Sequence, residues 1–263
     1  MSILSLINLP MVLSGFVVGF LVGMTGVGGG SLMTPLLILL FGITPEKAVA
    51  TDLIYASLTK TGGSIVHGLH KTIDWPLVGK LCLGSLPASL LTLLALHTIG
   101  FESSRINYAI TQVLGFALVL TAIAVLLRPW LLTKYRARVG MLSPKTTTQL
   151  TVLTGVILGA LVTVSSVGAG ALGVTALILL YPELPVARIA GSDIAHAVPL
   201  TLVAGVGHLL GGSIHFDVLG SLLLGSLPGI MISSNFAPRL PDKFLRYVLT
   251  SVLLAVAIKL LFF

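Results

Sequence analysis

Apolar runs separated by short polar breaks dominate this sequence and limit it to few folds. They fall at about 10–24, 31–42, 46–69, 75–99, 104–128, 148–164, 170–181, 186–211, 217–236 and 243–262. A helix needs ~20 apolar residues to cross the hydrocarbon core of a bilayer, and most of these runs reach that length. Of the 263 residues 56% are apolar and only 9% are charged, too few polar groups to cover a water-exposed surface. The same numbers exclude intrinsic disorder. Leu- and Ala-rich runs, in place of alternating ten-residue segments, favour helices over a barrel. The expected fold is therefore an all-α integral membrane protein with about 8–10 membrane segments. The opening MSILSLINLP has no basic region and no small-residue cleavage site, so it reads as the approach to the first helix. Cys82 is the only cysteine and reads as a small buried residue.

The net charge of +7 is explained by topology and not by nucleic acid. The basic connection 128–148 carries Arg128, Lys134, Arg136, Arg138 and Lys145, and is placed in the cytoplasm. Threading outward from it puts eleven Lys and Arg inside, three outside and Lys60 within a span. Both termini then fall outside.

The chain also repeats itself. Gly15, Gly19, Val22, Val27, Gly28, Gly30, Leu32 and Leu37-Ile38-Leu39-Leu40 recur 140 residues later. One residue enters between Pro185 and Asp193, and the offset becomes 141. At that offset Asp52 matches Asp193, His67 matches His208, and Gly84-Ser85-Leu86-Pro87 matches Gly225-Ser226-Leu227-Pro228. The expected division is an N-terminal transmembrane repeat 1–128, a basic cytoplasmic loop 129–147 and a C-terminal repeat 148–263. Each half holds an odd number of crossings, so the repeats are expected to be inverted. The runs 31–42 and 170–181 are too short to span, and each follows a glycine-rich break. Broken or re-entrant helices at matching positions of inverted repeats point to a transporter site near the midplane.

These features together resemble the sulfite exporter TauE/SafE family. The residues that carry the resemblance are the stretch Gly19–Leu37 with its glycine break, Ala48-Val49-Ala50-Thr51-Asp52-Leu53, His67 and Thr72-Ile73-Asp74-Trp75, with the plan repeated in the second half. Family patterns often carry serine where this sequence has Asp52 and Asp193. The resemblance implies a multi-pass bacterial plasma-membrane protein that moves small anions, notably sulfite and organosulfonates.

Two sets of residues could carry that activity. The breaks supply Thr25, Gly28, Gly29 and Gly30 in one half and Ser165, Ser166, Gly168 and Gly170 in the other. Helix N-termini there would offer free N–H groups and partial positive charge to an anion, and glycine permits close approach. Tight helix packing is the competing reading, and it is the natural one for Gly15, Gly19 and Gly23. The second set lies within the spans. At 100° per residue, Asp52, Lys60 and His67 share one broad helix face, and Asp193, His196 and His208 do likewise. Lys60 is a candidate substrate-binding cation. Asp52, Asp193 and His196 are candidates for proton coupling. His67 and His208 form a second tier, since each also fits a plain interfacial position.

No catalytic constellation, cofactor or metal site is expected; the spacing of His67 and His70 lacks a third ligand nearby. The expected partners are a small anion and the bilayer, with a homo-oligomer allowed and no nucleic acid. The expected function is alternating-access transport of a small anion, with an uncoupled anion channel as the alternative and a membrane-embedded enzyme behind it.

Overall fold

The computed structural model describes residues 8–25, 30–100, 104–139, 143–210, 216–236 and 242–262. Among these residues the secondary structure is ten α-helices: α1 Leu9–Thr25, α2 Gly30–Phe41, α3 Pro45–Leu69, α4 Trp75–Ile99, α5 Ser104–Val139, α6 Pro144–Ser165, α7 Ala171–Leu180, α8 Val186–Leu210, α9 Phe216–Phe236 and α10 Asp242–Phe262. Helix is the expected answer in lipid, where backbone N–H and C=O groups must pair within the chain.

Five helical segments are long and apolar enough to cross a membrane: Trp75–Ile99, Ser104–Trp130, Pro144–Ser165, Val186–Leu210 and Phe216–Ser233. α3 equals α4 in length at 25 residues but carries Glu46, Lys47, Asp52 and Lys60. α2 and α7 have 12 and 10 residues. At 1.5 Å per residue they reach only ~18 and ~15 Å, about half of the hydrocarbon core.

The basic connection is not all loop, because α5 continues through Pro129 to Val139. Lys and Arg are good helix formers, so their density removes lipid compatibility without removing helicity. Cys82 is half-buried and not enclosed.

The polar connections are locally determined. Pro45 and Pro144 stand in the first turns of α3 and α6, where a missing N–H costs nothing. Ser143 caps α6 by accepting from Thr146 N at 3.2 Å. Asp74 caps α4 by accepting from Leu77 N at 3.1 Å, and meets Arg188 at 3.5 Å. Asp74 N also donates to Ser192 Oγ at 2.8 Å, which ties the start of α4 to α8.

Packing runs between the halves of the sequence. α1 lies along α9, α6 along α4, α3 along α8 and α5 along α10. Glycines set the first two crossings. A Cβ on Gly15 or Gly19 would strike the carbonyls of Leu222 and Ser226. A Cβ on Gly155 or Gly159 would strike those of Leu81 and Ser85, the positions that correspond under the repeat. Contacts advance in the same direction along both members, so each of these pairs is parallel. α3 and α8 are antiparallel: Gly205 lies against Ile54, Gly63 against Ile194, and Gly191 against His67 and Thr72.

Candidate substrate and ion site

The crossing of α3 and α8 gathers the ionisable residues of the interior. Asp52 and Asp193 each lie two turns into their helices and are buried, as are Lys60 and His196. Such residues are costly inside a membrane unless they are paired or face a pathway. The Lys60 ammonium donates to the backbone carbonyl of Ala169 at 3.1 Å. It interacts electrostatically with both Asp193 and Asp52, but neither forms an ion pair with it within 4 Å. An ammonium has three donors, and this contact uses one.

Ala169 belongs to the turn between α6 and α7. Ser166 ends α6 in the left-handed conformation, φ 58°, and Gly168 and Gly170 have φ 126° and 129°. A side chain at either glycine would be strained, which explains glycine at both positions. The backbone then turns into α7, where Gly173 N–H donates to Gly168 O at 3.3 Å and Val174 N–H to Gly170 O at 2.9 Å, so that the N–H groups of Ala171 and Leu172 are the ones without an acceptor by position. Ser165 is committed to the turn itself: its hydroxyl donates to Leu161 O at 2.7 Å and accepts from Val167 N at 3.3 Å. The Ser166 hydroxyl is buried close to Asp52 without closing a hydrogen bond to it.

The two carboxyls are held differently. Asp52 Oδ2 accepts from the Thr34 hydroxyl at 2.5 Å and from the Thr34 N–H at 3.3 Å, joining α3 to α2. Asp193 packs against the first turn of α7 at Gly173, and its buried Oδ1 has no hydrogen-bond partner. Beside it on α8, His196 Nε2 shares a 2.8 Å hydrogen bond with Ser85 Oγ of α4.

The second-tier histidines lie apart from this cluster. His67 is half-exposed at the end of α3, where Nδ1 meets Thr72 Oγ1 at 2.8 Å. His208 is fully buried, and its Nε2 donates to the Thr163 carbonyl at 3.0 Å. Of the first break, Thr25 is the last residue of α1 and Gly30 the first of α2. Gly28 and Gly29 lie outside the described residues, as does the Thr25 side chain.

The glycine turn between α6 and α7 thus lies beside buried Lys60. The family model of the sulfite exporter TauE/SafE matches residues 11–260. The chain belongs to that family. The chain is 39% identical over 255 residues to the Bacillus subtilis "Probable membrane transporter protein YjnA", covering 97% of this chain and 100% of that one. It is 25% identical over 235 residues to "Probable membrane transporter protein YdhB" of the same organism, covering 88% and 91%. No solved structure matches the chain.

Within this TauE/SafE chain, sequence reasoning missed Thr34, Tyr55, Ser85 and Ala169. Tyr55 is buried on α3 with Ser226 of α9 beside it, and Tyr55 and Ser226 are the repeat positions of His196 and Ser85. That correspondence was available in the sequence. Ala169 contributes only a carbonyl, and no side-chain pattern marks it.

Proposed function

We propose that this protein is a secondary transporter that carries small anions, sulfite or organosulfonates, across the bacterial plasma membrane by alternating access, with protons as the coupling ion. The observation that carries this reading is Lys60: a buried ammonium at the middle of α3, held by one neutral carbonyl and facing the α6–α7 turn. Two of its donors remain for an anion. The N–H groups at the start of α7 are suited to the same anion. Gly30, the first residue of α2, is the repeat counterpart of Gly170, so the proposed site would lie between two half-length helices.

The antiparallel run of α3 and α8, which are repeat-related, supports an inverted relation between the halves. The matching crossings of α1 with α9 and of α6 with α4 support it further. α2 and α7 then act as re-entrant elements lining the site. In this reading both termini face outward and the 128–148 segment faces the cytoplasm. Sulfite and a short-chain sulfonate should enter proteoliposomes containing the purified protein, and an imposed pH gradient should concentrate them above the external level. Flux that only dissipates a gradient would make the protein a channel.

A further inference from the structure

The repeat makes Asp52 and Asp193 counterparts, and each buries an Oδ1 without a hydrogen-bond partner, yet only Asp52 has its Oδ2 held by another helix. We infer that Asp193 alone takes up and releases the transported proton, and that Asp52 is a fixed brace between α2 and α3. This inference rests on the proton-coupled reading above and assigns its acid.

The difference begins with two substitutions between the halves. Thr34, which gives Asp52 both a hydroxyl and an N–H, corresponds to Val174. Ser166, whose hydroxyl lies near Asp52, corresponds to Gly26. Neither Val174 nor Gly26 has a hydroxyl to offer Asp193. Two donors favour the ionised form of a buried carboxyl, whereas one with none leans on a proton or a cation. Asp193 is 1% exposed, its Oδ1 has no partner, and no hydroxyl or N–H among the described residues is seen to hold it as Thr34 holds Asp52.

The groups around Asp193 define its choices. α7 presents Gly173, which is uncharged, with Leu158 of α6 against the same glycine. On its own helix, His196 is engaged with Ser85 of α4 through Nε2, while its Nδ1 has no partner. The charge that reaches it is Lys60 of α3, which also interacts with Asp52. One ammonium therefore has two suitors. An ionised Asp193 draws Lys60 to itself. When a proton from water binds the Asp193 carboxyl, that attraction ends and Lys60 is free to hold a substrate anion. Release of the proton on the other side restores the competition and expels the anion. Proton and anion thus travel together, one of each, with no other bond made or broken.

The test is the proton-to-anion ratio in proteoliposomes, with radiolabelled sulfite and an internal pH dye read together. Wild type should move both. Asp193→Asn should lose pH-driven accumulation at least tenfold while retaining sulfite counterflow, which needs no net proton movement. Asp52→Asn and Thr34→Val should slow transport and lower thermal stability but leave the ratio unchanged. Val174→Thr supplies the missing hydroxyl beside Asp193. It should favour the ionised form and move half-maximal uptake to more acidic pH, and it remains informative if Asp193→Asn does not fold. Loss of the ratio in Asp52→Asn, an unchanged ratio in Asp193→Asn, or an unmoved profile in Val174→Thr would overturn the assignment while leaving proton coupling intact. Proton-independent sulfite flux in the wild type would overturn both.

Discussion

Lys60 is the residue on which structure and function make opposite demands. A buried ammonium bonded to one carbonyl contributes little to stability, because desolvation offsets the interaction. Replacing a whole buried ion pair by apolar side chains of similar volume is often neutral or stabilising by ~1–4 kcal/mol, and among the described residues Lys60 has no carboxylate within ion-pair distance to be stranded by its loss. Lys60→Met should therefore abolish anion flux while the protein keeps or raises its melting temperature in detergent, read by scanning fluorimetry. A fall in melting temperature together with normal flux would make Lys60 a structural residue. The glycine turn makes the converse demand. Gly168 has φ 126°, and a Cβ there would meet the Leu161 side chain at 3.2 Å. Gly168→Leu should lose transport and cost about 1–2 kcal/mol through left-handed strain. Gly29→Leu should lose transport at wild-type abundance, since its side chain would shield the N–H groups offered to the anion. Uptake by either variant at the wild-type rate would move the anion site away from the breaks.

Elements pack through a few close crossings, and the glycines there are not interchangeable with glycines elsewhere. Gly159 lies against the Ser85 backbone and Gly19 against that of Ser226, whereas a Cβ on Gly79 would meet nothing within 4 Å. Gly159→Ala and Gly19→Ala should destabilise by about 1–3 kcal/mol, as overpacking does. Gly79→Ala should be neutral or mildly stabilising. Denaturation in detergent would check that order, and equal effects at all three positions would refute it. The helices themselves were legible in the sequence because lipid enforces both their length and their hydrogen bonding. The short runs at 31–42 and 170–181 became α2 and α7 almost residue for residue. The end of α5 was not legible, since charge reports incompatibility with lipid and does not report loss of helix. At the site, Asp52, Asp193 and Lys60 stood out as ionisable residues within apolar runs. Thr34 and Ser85 did not, because a hydroxyl in a helix usually bonds its own backbone and leaves no mark in the sequence. Matching identical residues across the repeat also drew attention away from Thr34 and Val174, where the halves differ.

The molecule as a whole is expected to sit with its basic surface in the cytoplasm. Eleven of the fifteen Lys and Arg follow that placement, counted along the chain. Reporter fusions at Phe263 should be active on the outer face, and fusions within 140–142 on the inner face. A cytoplasmic C-terminus would reverse the orientation of every helix. The pairing of α1 with α9, and of α4 with α6, also bears on how the protein is made. The glycine face of α1 enters the membrane long before the residues that fill it. Gly15 must wait for Leu222, which is 207 residues further along the chain. At ribosomal speeds of ~5–20 residues per second, that delay is roughly 10–40 s. During it, α1 has lipid, an insertase or a neighbouring nascent chain against its grooved side. The N-terminal half is thus an obligatory intermediate with an unfilled seam. Supplying residues 148–263 as a separate polypeptide should rescue it in the membrane.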